Sequence, residues 1–149
     1  MSEEQLQAFY ERDDLAANKA DWKQSHEQLL RGLESGRIRA AERGADGNWH
    51  AVLWVKRAIL EGFKNSDVVR QGPLGQPPFF DKESYPARSF EQSDSVRIVP
   101  GGTSVRRGAY VSSGVVIMPP AYINVGAYVD SGTMVDSHAL VGSCAQVGK

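Results

Sequence analysis

Residues 99–149 read VPGGTSVRRGAYVSSGVVIMPPAYINVGAYVDSGTMVDSHALVGSCAQVGK, and one register runs through them without a slip. Aliphatic residues stand at Val99, Val105, Val111, Ile117, Ile123, Val129, Val135, Val141 and Val147, nine positions each six apart. Three residues after them come Gly102, Gly108, Gly114, Pro120, Gly126, Gly132, His138 and Cys144. Four residues after them come Thr103, Ala109, Val115, Ala121, Ala127, Thr133, Ala139 and Ala145, nearly all small. A period of six fits neither a helix at 3.6 nor plain strand alternation at two. A sandwich would place turn signals every 8–12 residues instead. The spacing suits a coil of triangular cross-section, each side a short strand and a corner. The aliphatic residue points inward and stacks on its equivalents about 4.8 Å away in neighbouring coils. Glycine suits a tight corner because it tolerates positive φ. Three sides make an 18-residue turn, so these 51 residues predict just under three coils of a hexapeptide-repeat β-helix.

Working upstream, residues 67–96 form a Pro/Gly-rich connector. GPLGQPPFFDKESYP packs Gly72, Pro73, Gly75, Pro77, Pro78 and Pro86 into fifteen residues. That composition disfavours helix or regular strand and predicts an extended loop, laid against the protein by Phe79, Phe80 and Tyr85. Residues 1–66 read as a helical N-terminal domain with one hairpin. Between Asp21 and Ser35, Trp22, Leu29, Leu30 and Leu33 share a helical face, and Gly36 follows as a C-terminal cap. Arg37–Ala41 predicts a short strand, Gly44–Asn48 a turn, and Trp49–Val52 the returning strand. Val52, Val55, Ile59 and Phe63 keep helical spacing. Leu53, Trp54 and Leu60 widen that stripe, predicting a helix buried on more than one side. The whole is an α+β N-terminal domain followed by a parallel β-helix over residues 97–149.

Composition bounds the function without naming it. Seventeen basic residues balance eighteen acidic ones, so no field points to nucleic acid or to an anionic membrane. The start, MSEEQLQAF, is acidic and lacks an apolar run, and no stretch is long and apolar enough to span a bilayer. The single cysteine, Cys144, cannot form an internal disulfide and fits a reducing, cytoplasmic setting. A zinc site with three protein histidines is a poor reading, because only His138 of His26, His50 and His138 lies in the repeat.

Between the valines lie more specific residues. MPPAYINVGAYVDSGTMVDSHALVGSCAQVGK closely resembles the tetrahydrodipicolinate N-succinyltransferases of bacterial lysine and diaminopimelate synthesis. ESGRIRAAERGADGNWHAVLWVKRAILEGFK resembles that family's N-terminal hairpin and following helix, FFDK its connector, and VRIVPGGTSVRRGAYV the start of its β-helix. On this reading the resemblance begins near residue 30, and residues 1–20 are uninformative. It implies a left-handed coil and a homotrimer with active sites between neighbouring subunits. It also implies transfer of a succinyl group from succinyl-CoA, a co-substrate and not a tightly bound cofactor. The acceptor is the amine of the opened dicarboxylate, 2-amino-6-oxopimelate.

The resemblance carries two positions. Arg97 matches a substrate-binding arginine; Asp136, in GTMVDS, matches an aspartate that contacts the substrate amine and has been assigned a catalytic role. The residue types suit that chemistry. A guanidinium fork reads a carboxylate bidentately, and a carboxylate orients an ammonium and helps accept its proton before attack on a thioester. From spacing alone, such an arginine also serves as a surface pair, and such an aspartate as a corner hydrogen-bond acceptor. Asp130, one hexad earlier, is expected to be a corner or subunit-contact residue. His138 stands where many members resembling this sequence carry a large aromatic; a structural role is the default, a histidine base the alternative. Cys144 is expected to be inert packing.

The register stops in mid-hexad at Gln146-Val147-Gly148-Lys149. The resemblance implies further coils carrying a second acidic candidate and most of the CoA surface. The expectation is a partial sequence, inactive and poorly soluble alone, since an open coil exposes strand edges. Two rival readings stand beside the main one: an acetyl-CoA-dependent transferase on the same substrate, and a non-catalytic hexapeptide scaffold.

Overall fold

A computed structural model describes residues 1–15, 19–72 and 78–149. Helix α1 (Glu3–Tyr10) starts at a capping box in which Ser2 Oγ accepts from Gln5 N–H while the Gln5 side chain accepts from Ser2 N–H. Its Leu6 and Tyr10 are buried. Helix α2 (Lys19–Glu34) buries Trp22, Leu29, Leu30 and Leu33 on one face, as their spacing predicts. Gly36 ends it at φ +72°, and the Ile38 N–H returns to the Gly32 carbonyl at 3.0 Å. That return consumes Arg37–Ala40, so the predicted strand is displaced. Strand β1 is Ala41–Arg43, antiparallel to β2 (Trp49–Ala51), while Ile38 and Ala40 enter the core instead.

Helix α3 (Leu53–Lys64) buries Trp54, Val55, Ala58 and Ile59 but leaves Leu53 at 73% and Leu60 at 57% exposure. Burial on more than one side is therefore corrected: Trp54 joins the buried face, but the Leu53–Leu60 side is left exposed. The extended-loop reading of the connector is also corrected. Strands β3 (Val68–Gln71) and β4 (Phe79–Lys82) pair in antiparallel register from Val68↔Lys82 to Gln71↔Phe79. Pro73, Gly75 and Pro77 lie outside the described residues, whereas Phe79 and Phe80 supply strand propensity beyond them. A 3₁₀ turn, Gln92–Asp94, precedes the repeat.

The repeat folds into nine two-residue strands: β5 (Arg97–Ile98), β6 (Ser104–Val105), β7 (Tyr110–Val111), β8 (Val116–Ile117), β9 (Tyr122–Ile123), β10 (Tyr128–Val129), β11 (Met134–Val135), β12 (Leu140–Val141) and β13 (Gln146–Val147). Each of the first six pairs in parallel with the strand three later, giving three sheets, β5-β8-β11, β6-β9-β12 and β7-β10-β13. These are the three sides of a parallel β-helix in stacked layers. Val105, Val111, Ile117, Ile123, Val129, Val135 and Val141 fill its interior, as the hexad register predicts.

The first hexad departs from the register. Ile98, not Val99, pairs with Ile117, a step of nineteen residues where the remaining pairs step eighteen. One extra residue is taken up in the Pro100-Gly101-Gly102 turn, so Val99 faces outward. Corners follow the predicted position: Gly102, Gly108, Gly114, Gly126 and Gly132 have positive φ, and His138 (φ +62°) and Cys144 (φ +64°) adopt it without being glycine. At Gly108 the need is steric as well, because a Cβ there would sit 2.8 Å from Leu30 and Val125 side-chain carbons.

A second apolar cluster joins α1, α2, α3 and Tyr85 and reaches the β-helix through Val125, with Cys144 packed against it. Arg107 fastens the two parts. It donates bidentately to Glu27 (2.9 and 3.1 Å) and to Glu34 (3.0 and 3.2 Å), while Gly108 N–H adds a bond to Glu34 at 2.9 Å. None of the described helices is long and apolar enough to cross a membrane.

Candidate active site

Within the sheet β5-β8-β11, Ile98, Ile117 and Val135 turn inward, so their neighbours along each strand turn outward. The outer surface is a grid of six positions in two rows. Arg97, Val116 and Met134 form one row; Val99, Met118 and Asp136 form the other, tied by Val99 N–H to Ile117 O and Met118 N–H to Val135 O. The two sequence-predicted residues thus share one side of the coil, at diagonally opposite ends of the grid. Strand spacing of roughly 4.8 Å and a rise of roughly 3.3 Å per residue put their Cα atoms about 12 Å apart.

Both are exposed. Asp136 Oδ1 accepts the Ser137 N–H at 2.7 Å, which orients the carboxylate at the corner and leaves its second oxygen open. Among the described residues the Arg97 guanidinium has no hydrogen-bonding or ionic partner. A guanidinium and a carboxylate facing water across an apolar strip can bind a molecule with an anionic end and a cationic end.

Asp130 makes the same local bond, Oδ1 accepting from Ser131 N–H at 2.7 Å, yet its surroundings differ. It is half-buried beside β13, lining a groove of about 530 Å³ with Arg39, Trp49 and Gln146. Arg39 lies 3.6 Å over the Tyr128 ring, 5.2 Å from that of Trp49, and donates to Gln146 Oε1 at 2.8 and 3.1 Å. Tyr128 in turn stacks on Tyr110 at 4.4 Å. These contacts clasp the β1–β2 hairpin to the sheet β7-β10-β13.

The sheet β6-β9-β12 is flanked by the β3–β4 hairpin. Phe79, Phe80, Thr103, Ser104, Arg106 and Tyr122 line a groove of about 760 Å³ there, and Arg106 is ion-paired to Asp81. Sequence reasoning singled out neither Arg39 nor Arg106. Their aromatic and ionic partners are remote in sequence, so no local motif marks them. The contacts that join the N-terminal half to the coil thus run to two sheets and to the Arg107 corner, leaving the Arg97–Asp136 side clear of them.

His138 is exposed at the corner after Asp136, its N–H donating to Pro120 O at 2.7 Å. His50 lies on β2 against Asp46, and His26 is buried between Trp22 and Tyr85. The three histidines therefore occupy three separate places. Burial pushes the Cys144 thiol up from its ordinary value, and it packs against the helical cluster. Ser143 and Lys56 act in the lowering direction, but burial outweighs both, so the thiol is not poised as a nucleophilic thiolate.

Comparison with known proteins extends over both halves. Residues 3–64 match the sequence family described as tetrahydrodipicolinate N-succinyltransferase N-terminal, so the likeness begins well upstream of residue 30, in α1. The chain is 43% identical over 125 residues to the 2,3,4,5-tetrahydropyridine-2,6-dicarboxylate N-succinyltransferase of Bradyrhizobium diazoefficiens, covering 78% of this chain and 43% of that protein. Identity to the protein of that name from Polynucleobacter asymbioticus is 41% over 125 residues, covering 79% and 44%. For Agrobacterium fabrum it is 43% over 125 residues, covering 78% and 43%. The chain therefore spans less than half the length of these curated relatives.

Proposed function

We propose that the chain belongs to the tetrahydrodipicolinate N-succinyltransferase family and forms the amino-substrate part of the active site of such an enzyme. The observation carrying this reading is 41–43% identity that runs through both the helical half and the coil, in relatives of one name. In the proposed reaction the substrate amine attacks the thioester carbonyl of succinyl-CoA. A nitrogen–carbon bond forms, the carbon–sulfur bond breaks, and CoA leaves as the thiolate. Arg97 holds a substrate carboxylate through its planar fork. Asp136 orients the ammonium and takes up the proton the amine must lose, its second oxygen being available for that contact.

The same reading assigns residues 1–66 to an N-terminal domain, 67–96 to a connector and 97–149 to the coil, which is left-handed. It also makes the enzyme a cytoplasmic homotrimer. Succinyl-CoA is consumed as co-substrate. A thiol-release assay on the full-length protein, supplied with the cyclic dicarboxylate and either succinyl-CoA or acetyl-CoA, tests it. Thiol release with succinyl-CoA well above acetyl-CoA is expected; release with neither would refute the enzymatic reading.

A further inference from the structure

The apolar strip between Arg97 and Asp136 has a composition of its own. Of the six outward positions on this sheet, the four uncharged ones are Val99, Val116, Met118 and Met134. Met134 stands 63% exposed at the end of the Arg97 row, beside Asp136, and Met118 is half-buried in the coil between. A molecule laid diagonally from guanidinium to carboxylate crosses the middle coil between Val116 and Met118 and passes alongside Met134 before it reaches Asp136. We propose that Met118 and Met134 together form the specificity-determining surface that measures the aliphatic chain between the charged ends of the amino substrate. This rests on the reading of Arg97 and Asp136 given above.

Charge complementarity sets the occupant: an acyclic 2-amino dicarboxylate, anionic toward Arg97 and cationic toward Asp136, with methylenes between. Thioether side chains suit such a floor because they are unbranched and adapt to a flexible chain. Each methylene they remove from water is worth about fourfold in binding. A five-carbon substrate offers two fewer methylenes to these side chains than a seven-carbon one, so chain length reads out their contribution.

The test is thiol release from succinyl-CoA by the full-length protein with 2-amino dicarboxylates of seven, six and five carbons. Wild type is expected to lose at least fourfold in kcat/KM for each methylene removed. In Met134→Gln, KM for the seven-carbon substrate should rise about tenfold with kcat within twofold, and the preference over six carbons should fall toward one. Met134 is exposed, so circular dichroism of this variant should match wild type; Met118→Gln should shift the ratio in the same direction. Unchanged chain-length ratios in both variants, with an active wild type, would overturn this inference alone. A wild type that releases no thiol with any of the three would overturn the underlying assignment and this inference with it.

Discussion

Lowering the pH should destabilise this protein through one residue, His26. The imidazole is 4% exposed, stacked on Trp22 at 5.0 Å and met edge-on by Tyr85 at 5.1 Å, and neither ring nitrogen has a hydrogen-bond partner. Burial pushes it down to about 4 from an ordinary 6.5; Glu27 opposes the change and Arg107 adds to it. Below 6.5 the unfolded chain takes up a proton that the folded chain refuses until about 4, so stability falls as pH falls through that window. The full difference corresponds to about 3 kcal/mol, of which about 2 kcal/mol is lost by pH 5. Urea unfolding followed by tryptophan fluorescence between pH 8 and pH 5 reads this directly. His26→Phe keeps a ring in the stack and removes the proton site, so its stability should be flat where wild type declines. Wild type and variant declining in parallel would show that His26 is not the group responsible.

Two other perturbations address the architecture. Arg107→Ala leaves Glu27 and Glu34 without their shared partner and should cost about 2 kcal/mol in urea unfolding, less than a fully buried pair because these groups are partly solvated. Arg107→Lys should recover under half of that, since one ammonium cannot make both forks. His138→Gly relieves a non-glycine left-handed corner and should raise the thermal midpoint, by a gain of about 1 kcal/mol; no rise would mean that the corner is not strained.

The coil was legible because its signal is local and repeated: an inward aliphatic every sixth residue admits one stacking, and a single misread hexad changes little. The misread hexad was the first, where Val99 keeps the spacing but Pro100-Gly101-Gly102 absorbs an extra residue, so that Ile98 stacks on Ile117. Upstream, the pattern says which residues are apolar but not which faces find a neighbour. Leu53 and Leu60 look like Val55 and Ile59 in sequence and differ only in what lies opposite them. Strand β1 slipped toward Arg43 because the Gly32–Ile38 hydrogen bond competes for the same backbone. Helix α1 carried its signal in Ser2 and Gln5, a capping box that residue-by-residue hydrophobicity overlooks. Arg97 and Asp136 were found through resemblance. That they share a sheet follows from their separation, close to two turns of the coil. Arg39 and Arg106 depend on long-range partners, Tyr128 and Asp81, which no spacing rule reveals.

In the proposed reaction Asp136 works on the substrate amine opposite Arg97. Steady-state thiol release from succinyl-CoA by the full-length protein, comparing wild type with Asp136→Asn, tests it most directly. Asparagine keeps the shape and the Ser137 N–H contact but cannot take a proton, so kcat should fall about 100-fold or more while the fold is unchanged. Turnover by Asp136→Asn within twofold of wild type would rule out that role for Asp136.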